Sequence, residues 1–311
     1  MSTLSEDAVS KPRNRSAASA ADDGGAALQL ISGLKSRLAA GDLNLPALPS
    51  VVTLIHRALD RKEVQVSQIT ELILSEPALA GTVLKLANSP IYRRGGLETP
   101  NMDTCVNRLG TRLVHSVSLH FAMQQMKQAP EFRAVHDLLG PEWDRSRMVS
   151  ELAYSLARKS RRACPEDMLT LGLIHNIGRI YILAQAGARA HDMLGNPEAT
   201  SLIHEWHPLI GSAIARSWHL PDSAVRVLAE QGEGDAATND DQRNLLILAI
   251  DLAGTGAGDA DREVLALAET FAEQPIAQRL DIDAASLAEI IEDAFEFGQM
   301  MMASTGSVRF W

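Results

Sequence analysis

Apolar residues recur along most of this chain with the spacing of a helix face. The stretch 26–41 places Leu28, Ile31, Leu34 and Leu38 on one stripe before Gly41, the pattern of an amphipathic helix with a glycine stop. Two prolines in Leu45–Pro49 break it, and Ser50 is a candidate cap for a helix carrying Val51, Leu54, Ile55, Ala58 and Leu59. Further helices are predicted over 64–75, from Pro77 through Leu79, Val83, Leu86 and Ala87, and on both sides of Gly110. A long helix opens near Pro141. The most apolar segment, 165–187, reads as one central helix containing His175 and Asn176. Pro208 predicts a boundary that leaves His204 and His207 at the surface or in a cap. A turn-rich linker at 232–241 leads to a buried helix, and Leu287, Ile290, Ile291, Ala294 and Phe295 form the apolar face of a last one. No strand alternation and no fixed-period repeat is present. The predicted fold is all-α.

Composition narrows the class. Apolar residues make up 46% and aromatics only 4%, so Leu, Ile, Ala, Val and Met must fill the core. No apolar run approaches the roughly 20 residues of a membrane span. The first 25 residues are polar, rich in Ser and Ala, and lack the apolar centre of a secretory signal; they read as disordered. Cys105 and Cys164 form neither a disulfide framework nor a CxxC metal site, which fits a cytoplasmic location.

The net charge of −10 is uneven: from Gly232 onward 16 acidic residues face four arginines, a local −12. Arg158, Lys159, Arg161 and Arg162 form the one basic cluster, and at helical spacing they fan over more than one face. A nucleic-acid footprint needs a broader basic surface, so nucleic acid is not an expected partner, and neither is a membrane. The acidic C-terminal face reads as solvated helix or as a docking surface for a basic partner.

Ordered motifs then point to a family. Leu45–Pro49, Glu76–Tyr92, Arg108–Gly110, the Trp- and Ser-bearing helix after Glu142, the run around His175, and Trp206–Pro221 together resemble HDOD, the HD-related output domain of bacterial signalling proteins. The resemblance covers about residues 40–255. It implies an HD-like helical bundle in two subdomains: 1–25 disordered, 26–130 an N-terminal bundle, 131–255 a degenerate HD bundle, and 256–311 an acidic helical extension.

It also implies where a hydrolase would hold metal. Arg145 falls at the first histidine of the HD pattern, His175 and Asn176 at the His-Asp doublet, and Asp251 at the last aspartate; Glu230 and Gln231 stand where active relatives place further histidines. An amide offers a neutral oxygen where a carboxylate would offer charge, and a guanidinium repels a cation. The expectation is therefore no catalytic residue, no metal and no cofactor. His175 reads first as a hydrogen-bonded core residue facing Asp251 or Asn176, with metal ligand and pH or ligand sensor as alternatives. Gly172 and Gly178 beside it point to close helix packing. Arg93–Gly96 reads first as a turn with exposed charge, with Arg93 and Arg94 as candidates for anion or partner contact. The function implied is a non-catalytic regulatory module working through contacts with signalling proteins; the alternative is a residual metal-dependent phosphohydrolase acting on a nucleotide or cyclic dinucleotide.

Overall fold

Helix after helix follows the apolar stripes. The computed structural model describes residues 17–41, 46–59, 63–93, 96–232, 237–255 and 264–305. All of its regular structure is helical, with no strand among the described residues. Helices α1 (Ala17–Ala39), α2 (Ser50–Leu59), α3 (Val66–Leu74), α4 (Pro77–Ala87), α5 (Pro90–Arg93), α6 (Met102–Leu109) and α7 (Thr111–Lys127) form the first part. A 3-10 turn at Pro130–Val135 leads into α8 (His136–Ser160). Next come α9 (Pro165–Ile174), α10 (Ile177–Ala186), α11 (Ala190–Leu194), α12 (Pro197–Ser217), α13 (Asp222–Glu230) and α14 (Asp241–Gly254). Helices α15 (Val264–Ala272), α16 (Pro275–Arg279) and α17 (Ala284–Thr305) complete the described chain.

Two apolar clusters hold it. One gathers Ile55, Ile69, Leu79, Val83, Leu86 and Val106 from α2, α3, α4 and α6, and is closed by Tyr154 of α8, Leu169 of α9 and Phe297 of α17. Leu79, Val83 and Leu86 are fully buried, as their stripe predicts, each contributing roughly 1.5–3 kcal/mol. The larger cluster runs through α8 to α17 and includes Ile31 and Leu34 of α1. Pro77 starts α4, where its missing N–H is no loss. Gly110 turns the chain between α6 and α7 at φ 79°, a conformation an L side chain resists.

Several expectations are corrected. Helix α1 begins at Ala17, so residues 17–25 do not belong to a structureless arm; an alanine-rich segment propagates the helix N-terminally. Residues 1–16 lie outside the described residues. Helix α1 also packs on α10, α11 and α12 and so belongs with the second bundle, since a stripe reports a buried face but not its partner. Ser50 is the first helical residue of α2, not its cap: the carbonyl of Pro49 accepts the Val52 and Thr53 N–H groups. Leu28, Leu54 and Phe295 are exposed despite lying on predicted apolar faces. Pro141 lies within α8 and Pro208 within α12, neither at a boundary.

The acidic extension packs back on the chain. Helix α17 lies across α8 and α4, with Phe297 stacked on Tyr154 at 4.3 Å between ring centres. Arg158 pairs with Asp293 at 2.6 Å, Lys159 with Glu289, and Arg162 with Asp281. Arg158 and Lys159 are thus partnered by the acidic helix and Arg162 by the turn before it, while Arg161 ends α8 in a left-handed conformation. Underneath, Arg147 donates from Nη1 to both carboxylate oxygens of the buried Glu151 at 2.9 Å. A Cβ on Gly298 would fall 2.4 Å from that carboxylate, so a larger residue there would have to push the Glu151 side chain aside.

Candidate functional site: a hydrogen-bonded network around His175 and Asn176

His175 and Asn176 do not lie in one continuous helix: they form the break between α9 and α10. Asn176 sits at φ −104° and ψ 12°, off the helical well, which corrects the single helix expected over 165–187. The break lets the amide turn toward α8. Ser146 donates from Oγ to Asn176 Oδ1 at 2.6 Å, and Asn176 Nδ2 donates to the Glu142 carbonyl at 3.0 Å and to Glu142 Oε2 at 3.2 Å. Acceptors around Nδ2 and a donor at Oδ1 fix which end of the amide is which. Arg179 of α10 donates from Nε to Glu142 Oε1 at 2.7 Å and completes the network.

His175 is 3% exposed. Its Nδ1 donates to the Gly172 carbonyl at 2.7 Å, rather than meeting Asp251 or Asn176. That bond leaves the lone pair on Nε2. Burial, followed by the nearby Arg145 charge, pushes its pKa down to about 4. Gln231 donates from Nε2 to the His175 carbonyl at 2.8 Å.

Two glycines set the crossings. A Cβ on Gly172 would meet Ser150 Cα of α8 at 2.5 Å, and one on Gly178 would meet the His207 carbonyl of α12 at 2.0 Å. Both are close-packing glycines, as read from their flanking positions. Because α12 runs through Pro208, His207 is brought beside α10 instead of sitting at the surface; His204 stays exposed. The His207 Nδ1 is buried without a partner among the described residues. Its pKa is lowered to about 3, first by burial, then by His175, His204, Arg179 and Arg145.

The remaining sequence candidates fall as follows. Arg145 is exposed on α8, with Nη2 3.8 Å from where a Gly254 Cβ would sit at the end of α14. Asp251 is half-buried one turn earlier on α14. The α8 side chains that touch the doublet are Glu142 and Ser146, on either side of Arg145 in sequence. Arg93 is engaged by Glu98 at 3.0 Å, so its side chain reads as a turn contact; Arg94 lies outside the described residues. Sequence reasoning missed Glu142, Ser146 and Arg179, and it placed His207 at the surface or in a cap. The opposite charges of Glu142 and Arg179 are visible, but nothing local pairs residues 37 apart.

The donor set does not suit a divalent cation. Among the described residues no three His, Cys, Asp or Glu side chains converge as metal ligands. The doublet contributes an amide whose oxygen is already taken by Ser146, and two guanidinium groups stand nearby.

A family model for the HDOD domain matches residues 45–233. The chain belongs to the HDOD family. This HDOD match is shorter than the 40–255 read from motifs. Solved structures agree in fold. A candidate metal-dependent phosphohydrolase from Shewanella amazonensis SB2B superposes with TM-score 0.67 at 23% identity, covering 90% of this chain and 99% of that one. An HDOD domain protein with unknown function from Geobacter sulfurreducens gives TM-score 0.56 at 19% identity, covering 88% and 98%. A candidate signal transduction protein from Marinobacter aquaeolei VT8 gives 0.53 at 19%, covering 93% and 65%. An uncharacterised protein of Treponema pallidum (strain Nichols) is 26% identical over 198 residues, 60% of this chain; the match spans 37% of that relative's length.

Proposed function

We propose that this HDOD protein is a non-catalytic signalling module that acts through contacts with other signalling proteins. One observation carries the reading: the amide of Asn176 is built into the structure. Its Nδ2 lies 3.0 Å from the Glu142 carbonyl and 3.2 Å from the Glu142 carboxylate. An aspartate there would set oxygen against oxygen and charge against charge, so the hydrolase doublet has been replaced by a structural network. Metal-assisted hydrolysis needs a cation to activate water and hold phosphate oxygens, and these side chains do not assemble one. The neighbour described as a candidate signal transduction protein is consistent with a signalling role. The charge balance speaks against nucleic acid, because Arg158 and Lys159 of the one basic cluster are paired with α17 and Arg162 with Asp241 and Asp281. No described helix is long and apolar enough to cross a membrane. We place the protein in the cytoplasm.

The alternative, a residual phosphohydrolase, draws on one feature: His175 holds its Nδ1 proton on a carbonyl and keeps Nε2 open, the posture of a metal-ligating histidine. Elemental analysis of protein purified without chelator separates the two readings, together with turnover assays on cyclic dinucleotides and nucleoside phosphates with Mg, Mn or Fe. The expected result is no stoichiometric metal and no turnover above background, with Asn176→Asp restoring neither and lowering stability. Metal near one per chain that is lost on His175→Ala, or turnover abolished by Asp251→Ala, would reverse the choice.

A further inference from the structure

We propose that the groove between α8 and α17 docks a basic amphipathic helix of a partner protein, with an apolar side chain set beside Phe295 and lysines or arginines against Glu292 and Glu296. The proposal deepens the reading above: it gives the contact module a surface and its partner a chemistry.

The first observation is a cavity. About 70 Å³ of space lies between the two helices, walled by Met148 and Leu152 of α8 and by Ile291, Phe295 and Met302 of α17. Phe295 is 41% exposed and Met302 38%. Single apolar side chains on a surface are ordinary, but here they gather around one hollow, the form of a recognition site. Along α17, Ile291 and Met302 stand about 16 Å apart, at about 1.5 Å of rise per residue. An apolar strip of that length, facing a second helix across a hollow, has the shape that takes the apolar face of a third.

The second is the charge beside it. Arg147 lines the cavity, but its Nη1 is given to both carboxylate oxygens of the buried Glu151. On α17, Asp293 and Glu289 are spent on Arg158 and Lys159 of α8. Glu292 and Glu296 are exposed and make no ion pair among the described residues. Glu292 stands three residues before Phe295, and Glu296 three before Gln299, which also lines the cavity. That spacing makes each a neighbour of the rim on the helix surface. An apolar hollow flanked by unanswered carboxylates attracts a basic helix and turns away an acidic one.

The test is fluorescence anisotropy with the full chain and a labelled synthetic helix of about four turns, leucine on one face and lysine on the other. The expected result is saturable one-to-one binding that salt weakens. Affinity should fall at least tenfold, about 1.4 kcal/mol, in Phe295→Ser and in the double variant Glu292→Lys, Glu296→Lys. It should be unchanged in Leu209→Ser, at an exposed apolar position on α12. The replaced side chains are exposed, so each variant should melt with wild type, and circular dichroism checks it. Equal binding of a peptide carrying glutamate in place of lysine, or wild-type affinity in both groove variants, would overturn the site. So would a rival occupant: a dimer that Phe295→Ser dissociates assigns the groove to a second copy, and peptide affinity tenfold tighter in a chain ending at Thr305 assigns it to residues 306–311. These failures leave the non-catalytic reading standing; metal-dependent turnover would overturn that reading instead.

Discussion

Alanine at Gly172 tests the close crossing that places His175. Its Cβ would lie 2.5 Å from Ser150 Cα, 2.7 Å from Ser150 N and 2.8 Å from the Val149 carbonyl. All three atoms are backbone, so no side chain can swing aside, and α9 must move off α8 by close to an ångström. Overpacking of this kind costs typically 1–3 kcal/mol, and a backbone clash belongs at the upper end. Alanine recovers about 1 kcal/mol of helix propensity over glycine. The net is a loss of about 2 kcal/mol, or a melting temperature lower by roughly 4–8 °C at 2–4 °C per kcal/mol for a chain of this size. Gly81 in α4 and Gly140 in α8 have nothing within 4 Å of such a Cβ. There alanine meets no clash and should raise the melting temperature. Thermal denaturation followed by circular dichroism reads all three variants. A Gly172→Ala protein as stable as Gly81→Ala would refute the argument that this glycine is kept for contact.

Other expectations follow from burial. Glu151 is raised to about 7 by burial, against the opposing pull of Arg147; the fold favours its protonated form, so its charge costs more as pH climbs from about 4.5 to about 7. The stability gained by Glu151→Gln, measured by urea unfolding, should grow across that window, and a gain independent of pH would contradict the assignment. His56 is buried against His115, with ring centres 3.9 Å apart, and burial and the His115 charge lower it to about 3. Neutral His56 therefore supports the fold above about 6.5, and that support is lost as pH falls toward 3; His56→Leu should flatten the loss between pH 7 and 5, and an unchanged profile would show another group responsible. Leu86→Asp places an unpaired carboxylate at a fully buried position, a cost of several kcal/mol comparable with total stability; a wild-type melt would count against the packing of α4.

The sequence alone determined the helical class, most of the helices and the identity of the doublet, because these rest on local period, local caps and residue chemistry. The stripe of α4, the proline opening it and the turn at Gly110 are all short-range facts. Asn176 in place of aspartate was legible for the same reason, and the ordered motifs carried the family. What remained was decided by partners distant in sequence. Only the packed structure breaks the central helix at His175 and Asn176, because the energy of that turn comes from Glu142 and Ser146 on another helix. Prolines 141 and 208 read locally as boundaries, yet tertiary packing carries both helices through them. Helix α1 could not be assigned to the second bundle from its stripe. The basic run on α8 and the acidic run on α17 were each visible, but their mutual pairing needed the fold to bring residues 135 apart within 2.6 Å. Periodicity says which face is buried; the choice of what buries it is a matter of shape and charge complementarity across the whole chain.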